Sequence, residues 1–149
     1  MARAIKILLL NGPNLNLLGS REPEIYGKAT LEDHVAVATK AAVAAGFSLD
    51  AFQSNSASEL VDKIHEARAQ YSAIIINPGA FTHYAWSISD ALNAFDGPVV
   101  EVHISNPQSR ESWRHTSVVA PVAIGTIAGF GQQSYVLGVQ AIAHYLDNS

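Results

Sequence analysis

Five short apolar runs alternate along the chain with segments of helical periodicity. The first, Ala4–Leu10, is apolar except at Lys6 and stops at Asn11-Gly12-Pro13. A run this nearly apolar reads as a strand covered on both faces, not one shared between core and water. Leu15 to Lys28 has no clean period and is punctuated by Gly19, Pro23 and Gly27, so it reads as a long loop. Thr30-x-x-Asp33 has the form of a capping box with a shortened acid, opening an alanine-rich helix to about Ala45 that Gly46 ends. Phe47–Gln53 is the second strand. Ser56-x-x-Glu59 is a cleaner box, starting a helix with Leu60, Ile64 and Ala67 on one face. Ala73–Asn77, apolar through Ile74-Ile75-Ile76, is the third strand, stopped by Pro78-Gly79. A helix from about Tyr84 to Phe95, a strand Val99–Ile104 and a fifth strand Ala123–Ala128 follow. Gln132–Leu146 is the closing helix, with Val136, Val139, Ile142 and Ala143 as its apolar stripe.

Strand and helix alternation with apolar strands predicts an α/β fold, a parallel sheet between two helical layers. Five strands fit the flavodoxin-like three-layer sandwich of order 2-1-3-4-5, in which ligands bind beyond the carboxyl ends of the strands. At 149 residues the chain is expected to form a single domain, 1–149. No apolar run approaches the roughly 18 residues of a membrane span. Ala4–Leu10 is too short for a secretory signal and lacks a cleavage-like site. The chain has no cysteine, which removes disulfides, thiolate nucleophiles and cysteine metal sites and makes the cytoplasm the simplest compartment. A net charge of −4 with nine basic residues argues against a nucleic-acid surface. Charged residues are 15% of the chain, against about 25% in average soluble proteins, which suggests that part of the surface is covered by other subunits.

That topology places the polar clusters together. Asn11 and the long loop follow strand one, Asn77 and His83 follow strand three, and Glu101, His103 and Ser105 close strand four, all at one edge of the sheet. Glu101 and His103 share a strand face, and a carboxylate beside an imidazole fixes its tautomer and raises its basicity. An isolated E-x-H also reads as a charged pair on an exposed strand; the apolar approach Val99-Val100 argues against exposure. In the loop, Gly19 and Gly27 would let Arg21 and Tyr26 close over a ligand. A phenol with a reference pKa near 10 becomes a base at pH 7 at a cost of about 4 kcal/mol, which a guanidinium offsets. Taken alone, the segment also reads as a solvated arginine and a tyrosine packing the loop. Arg110 and Arg114, four apart, would share a helix face if Ser109 begins a turn, and suit an anionic or polyhydroxyl ligand, a subunit salt bridge or plain surface. His34, His65 and His144 read as surface residues, and His115 has no assigned role. No phosphate-binding glycine motif occurs, and Gly129-Phe130-Gly131 reads as a turn. Glu101, His103 and His83 lack the pair spacing of a metal site, and no G-x-S-x-G elbow supports a serine hydrolase.

Taken in order, Asn11-Gly12-Pro13-Asn14-Leu15-Asn16-Leu17-Leu18-Gly19, Arg21-Glu22-Pro23, Tyr26-Gly27, Asn77-Pro78-Gly79-Ala80, Thr82-His83 and Glu101-Val102-His103-Ile104-Ser105-Asn106 closely resemble the type II 3-dehydroquinate dehydratase family. The resemblance implies reversible dehydration of 3-dehydroquinate to 3-dehydroshikimate, in the shikimate pathway or in quinate breakdown. It implies no metal or organic cofactor and a homododecamer of flavodoxin-like subunits. It further implies Tyr26 as the base at carbon 2, Arg21 as the lid arginine that activates it, and His103 as the acid for the C1 hydroxyl with Glu101 orienting it. Asn77 would stabilise the enolate through a water. Ile104 and Ser105 would hold the carboxylate by backbone donors, with Asn77 assisting, and His83, Asp90 and Arg114 the hydroxyls. Arg110 would meet an aspartate, Asp90, across a subunit contact, and Asn14 takes a polar position beside the site. Three positions depart from the family pattern: Ser89 for arginine, Trp113 for phenylalanine and Thr116 for histidine. The residues themselves agree with enolate chemistry, which needs a base, an oxyanion stabiliser and an acid. A Schiff base would need a desolvated lysine, and Lys40 and Lys63 lie on helices, Lys28 in the loop and Lys6 within strand one, away from its carboxyl end. A non-catalytic flavodoxin-like ligand-binding or regulatory module is the alternative; it would keep the pocket without needing a Tyr-Arg lid opposite a Glu-His pair.

Overall fold

The computed structural model, which describes residues 4–148, pairs the apolar runs into one parallel sheet of order β2-β1-β3-β4-β5. The strands are β1 (Lys6–Asn11), β2 (Ser48–Gln53), β3 (Ala73–Asn77), β4 (Val99–His103) and β5 (Gly125–Ala128). The order is the one the alternation predicts. Central strands β3 and β4 are buried throughout, whereas edge strands β2 and β5 keep exposed positions. The helices are α1 (Pro23–Tyr26), α2 (Leu31–Ala44), α3 (Ala57–Gln70), α4 (Trp86–Asn93) and α5 (Gln132–Asp147). Alternation along β1 and β3 divides the core. Leu8, Leu10, Ile74 and Ile76 pack with Leu60 and Ile64 of α3 and Ile88 and Leu92 of α4. Ile7, Leu9 and Ile75 pack on the other face with Ala38 and Ala42 of α2 and Val139 and Ile142 of α5. Among the described residues, no helix is long and apolar enough to cross a membrane.

Local differences from expectation have physical causes. The loop from Leu15 to Lys28 holds a 3-10 turn (Leu15–Leu17) and α1, elements too short to show a period. Ahead of α4, Gly79–His83 form a 3-10 turn, so that helix begins at Trp86 rather than Tyr84. The Thr30–Asp33 capping box forms in full. At α3 only half of the box forms: Ser56 caps the Glu59 amide, but the Glu59 carboxylate instead accepts from the Ser54 hydroxyl at 2.9 Å. The buried stripe of α5 is Ser134, Tyr135, Gly138, Val139 and Ile142, with Val136 and Ala143 only partly covered. Two polar groups tolerate that face because each is hydrogen-bonded: Ser134 Oγ accepts from the Phe130 amide at 3.1 Å, and Tyr135 is bonded at its hydroxyl.

His34 corrects the surface reading. It is 1% exposed, its ring centroid lies 5.3 Å from that of Tyr135, and neither ring nitrogen has a hydrogen-bond partner. The stripe His34, Ala38, Ala42 repeats every four residues and is the buried face of α2. His65 and His144 are exposed, as expected.

Parallel pairing brings the carboxyl ends of β1, β3 and β4 to one edge, with Asn11 in register with Asn77. The turns that follow abut through their backbones. The Gly12 amide donates to the Asn77 carbonyl at 2.8 Å, and a Cβ on Gly12 would lie 2.3 Å from the Pro78 carbonyl oxygen. Only glycine permits that approach.

Candidate active site

A cleft opens at this sheet edge. Its floor is the end of β3. Asn77, 3% exposed, is fixed at both ends of its amide: Nδ2 donates to the Tyr135 hydroxyl at 3.0 Å, and Oδ1 accepts from the Gly79 amide at 3.1 Å. The Tyr135 hydroxyl in turn donates to Asn11 Oδ1 at 2.7 Å. Burial pushes the Tyr135 phenol well above its ordinary range, only partly offset by the Asn77 bond, so it serves as a neutral hydrogen-bonding group. Asn14 lines the cleft beside it, in the left-handed conformation at φ 68°. Its amide donates to Asn55 Oδ1 at 3.0 Å.

One wall is the Glu101–His103 pair. His103 Nε2 lies 2.6 Å from Glu101 Oε2, as their shared strand face predicts. The exposed-strand alternative is excluded, since Glu101 is fully buried behind the ring. Burial alone would raise the Glu101 carboxyl; hydrogen bonds from His103, Thr82 and Ser117 outweigh it and hold the group below its ordinary range. Ile104 and Ser105 continue from β4 along the cleft.

The opposite wall is the loop. Gly19 and Gly27, both at positive φ, bracket the segment that carries Arg21 and Tyr26. Tyr26 lies between two guanidiniums: Arg21 Cζ is 5.0 Å and Arg110 Cζ 5.2 Å from its ring centroid. Arg110 Nη1 donates to the Tyr26 hydroxyl at 2.7 Å and to Ser105 Oγ at 3.3 Å. Arg110 and Arg114 do not share a helix: Arg110 follows a 3-10 turn (Pro107–Ser109), and Arg114 lies in the next (Ser112–His115). Both nonetheless line the cleft. Arg114 donates to Glu111 Oε2 at 2.6 Å and stacks 4.1 Å over the Trp113 ring. Trp113 also meets the His83 ring edge-on at 5.2 Å, so this departure makes a platform for both side chains. Burial lowers the His83 pKa, and the neutral ring donates from Nδ1 to the Thr116 carbonyl at 2.7 Å. Because that contact uses backbone, it does not depend on the side chain at 116.

Ten of the twelve residues singled out in the sequence line the cleft; Glu101 lies behind His103, and Asp90 stays exposed on α4, outside it. Sequence reasoning missed Thr82, Ser117 and Tyr135. Thr82 adjoins His83 in a motif already noted; Ser117 has no local signal; Tyr135 is one position from the expected α5 stripe. No lysine lines the cleft, and among the described residues no group of three or more His, Asp or Glu is placed to hold a metal ion.

The family model described as Dehydroquinase class II matches residues 5–143. A 3-dehydroquinate dehydratase of Caldicellulosiruptor bescii is 50% identical over 143 residues, covering 95% of this chain and 99% of its own length. Another, of Streptomyces coelicolor, is 57% identical over 138 residues, covering 92% of this chain and 88% of its own. The crystal structure of the type II dehydroquinase of Propionibacterium acnes superposes with a TM-score of 0.90 at 40% identity, over 95% of this chain and 99% of that one. With the same strand order and the ordered motifs meeting in one cleft, the chain belongs to the class II dehydroquinase family.

Proposed function

We propose that this cleft dehydrates 3-dehydroquinate to 3-dehydroshikimate, reversibly and through an enolate. The observation that carries the reading is a poised base opposite a poised acid: Tyr26 bonded by Arg110 at 2.7 Å, and His103 bonded by Glu101 at 2.6 Å. The Tyr26 phenolate takes the proton from carbon 2, and the guanidiniums of Arg110 and Arg21 stabilise the negative oxygen before transfer. The ketone oxygen takes up the charge as an enolate, which Asn77 stabilises through a water from its fixed amide. As the enolate collapses, His103 delivers a proton to the C1 hydroxyl, the C1–O bond breaks, water leaves, and a double bond joins C1 and C2. Moving the proton from Tyr26 back to His103 completes the cycle, so the net change is loss of one water. Backbone amides of Ile104 and Ser105 hold the carboxylate, and His83 and Arg114 hold the ring hydroxyls. Each proton passes between the substrate and a side chain, or between side chains in the reset, and no metal or organic cofactor enters the route.

The working unit is read as a homododecamer in the cytoplasm. Exposed Tyr84, Trp86 and Phe130 support subunit contacts. So does Arg110, which among the described residues has no carboxylate partner in its own chain, while Asp90 lies exposed for a neighbour. The test is direct: purified protein mixed with 3-dehydroquinate develops the ultraviolet absorbance of the enone product, and Tyr26→Phe, folded and able to bind, does not. A wild type that binds without forming the enone returns the chain to the non-catalytic reading, and an active Tyr26→Phe removes Tyr26 as the base.

A further inference from the structure

We infer that Thr82 and Ser117 are positioning residues: together they hold the Glu101 carboxylate as an acceptor and so fix which nitrogen of His103 faces the cleft. The inference rests on the reading of His103 as the acid and adds the device that sets its proton.

Three segments converge on one buried carboxylate. His103 Nε2 reaches Oε2 at 2.6 Å, and Thr82 Oγ1 reaches the same oxygen at 2.5 Å. Ser117 Oγ reaches Oε1 at 2.9 Å and Oε2 at 3.1 Å. The direction of these bonds is determined by counting protons. Ser117 Oγ already accepts from the Val119 amide at 3.1 Å and the Ala120 amide at 2.9 Å. Both its lone pairs are thereby engaged, and its single proton points to the carboxylate. Thr82 Oγ1 lies 2.8 Å from Ser117 Oγ, which has no lone pair left to accept its proton, so Thr82 also donates to the carboxylate. A proton on Glu101 facing Ser117 would find no free lone pair, and one facing Thr82 would leave the Thr82 proton without an acceptor. The ionised form is selected, and an ionised carboxylate requires His103 Nε2 to carry a hydrogen. Nδ1, which has no partner among the described residues, is left to the substrate: it is bare in the neutral ring and carries the proton for the C1 hydroxyl when the ring is the imidazolium, whose charge the Glu101 carboxylate stabilises.

The clamp is built on anchored backbone. Thr82 is 1% exposed in the turn after β3, and the Val118 amide donates to the Thr82 carbonyl at 2.7 Å, joining the two hydroxyl-bearing segments. The charged and titratable groups nearby are His103 itself, His83 and Arg114, whose fields meet at this wall of the cleft. Neither His83 nor Arg114 is hydrogen-bonded to Glu101, so the two hydroxyls are its only donors besides His103 among the described residues.

The test compares Thr82→Val, Ser117→Ala, the double variant and the conservative Thr82→Ser, each in wild-type and Glu101→Gln backgrounds. Thr82→Val lowers kcat about tenfold to a hundredfold, part of the roughly 10²–10⁴ that a positioned general acid contributes. KM changes by no more than about twofold, the kcat–pH profile shifts, and Thr82→Ser recovers most of the rate. In the Glu101→Gln background the same substitution costs nothing further. Equal losses in both backgrounds, or an unshifted pH profile, would overturn the inference. Nitrogen-15 shifts of His103 report the tautomer without any turnover: one Nε2–H form in wild type, a mixture in the double variant. Should the valine variant fail to fold, Ser117→Ala and the histidine spectrum decide. A wild type holding a single Nε2–H tautomer but forming no enone would sink the proposed reaction and leave the clamp standing; a mixed wild-type tautomer would do the reverse.

Discussion

Replacing His34 by leucine is expected to stabilise the fold. The neutral imidazole brings one N–H donor and one lone pair into a site where neither finds a partner. Each unmade bond costs about 1–3 kcal/mol. Leucine fills a similar volume without that penalty, losing the ring contact with Tyr135, worth about 0.5–1.5 kcal/mol, and incurring a shape mismatch below about 1.5 kcal/mol. A net gain of about 1–3 kcal/mol follows, and for a chain of this size each kcal/mol raises Tm by about 2–4 °C. The gain also depends on pH. Burial lowers the folded-state pKa of His34, and the Asp33 carboxylate offsets only part of this. The unfolded chain therefore binds more protons than the folded one below the ordinary histidine value. Stability from the neutral ring is complete above about pH 6.5 and is lost as pH falls through the folded pKa, at no more than about 1.4 kcal/mol per pH unit. The advantage of His34→Leu should thus widen between pH 7.5 and 5.5. Thermal and urea unfolding of both proteins at one fixed protein concentration measures it. A variant that is no more stable at pH 7.5, or a gap that does not widen on acidification, would refute the reasoning.

Arg21→Ala is expected to reduce kcat by about a hundredfold, and Arg21→Lys to recover only part, because lysine lacks the planar fork beside the phenol; full recovery in steady-state assays would make Arg21 a plain charge. Tyr135→Phe keeps the ring but leaves Asn77 Nδ2 and Asn11 Oδ1 unpaired, costing about 1–3 kcal/mol of stability along with turnover. Its kinetic effect should vanish in an Asn77→Ala background, and an additive loss there would separate Tyr135 from Asn77. Asp90→Ala and Arg110→Ala should each shift light scattering toward smaller assemblies, with the double variant no worse than the more severe single; a monomeric wild type or fully additive losses would rule out their pairing.

The sheet was legible because β1, β3 and β4 are buried on both faces and so appear as apolar stretches, Ile7–Leu10, Ala73–Ile76 and the Val99-Val100 that opens β4, and the order of those stretches alone brought Asn77, His103 and the loop to one edge. Chemistry carried by side chains on a strand was also legible: two residues apart on β4 means one face, and Glu101 and His103 meet. What stayed hidden was set by partners far along the chain. Nothing near Ser117 marks it, since its partner is on β4 and its proton direction depends on two amides that follow it. His34 looked polar because its neighbours on the buried stripe, Ala38 and Ala42, carry little apolar signal. Tyr135 and Ser134 occupy a core face only because hydrogen bonds satisfy them. The relation of Arg110 to Tyr26 spans 84 residues, and local spacing instead suggested pairing Arg110 with Arg114.

The loop that carries Tyr26 has a kinetic consequence. Its helix α1 is four residues long and fully buries none of them, with Tyr26 alone packing partly against the core, so little else holds it in place. On the proposed mechanism, the bond from Arg110 to the phenol would be both the latch of the loop and the support for the base. Closing the cleft and arming Tyr26 would then be one event. On that mechanism, opening the loop would take the phenol from Arg110 and leave it Arg21 alone, so proton abstraction is expected to be fastest in a site already closed around its substrate.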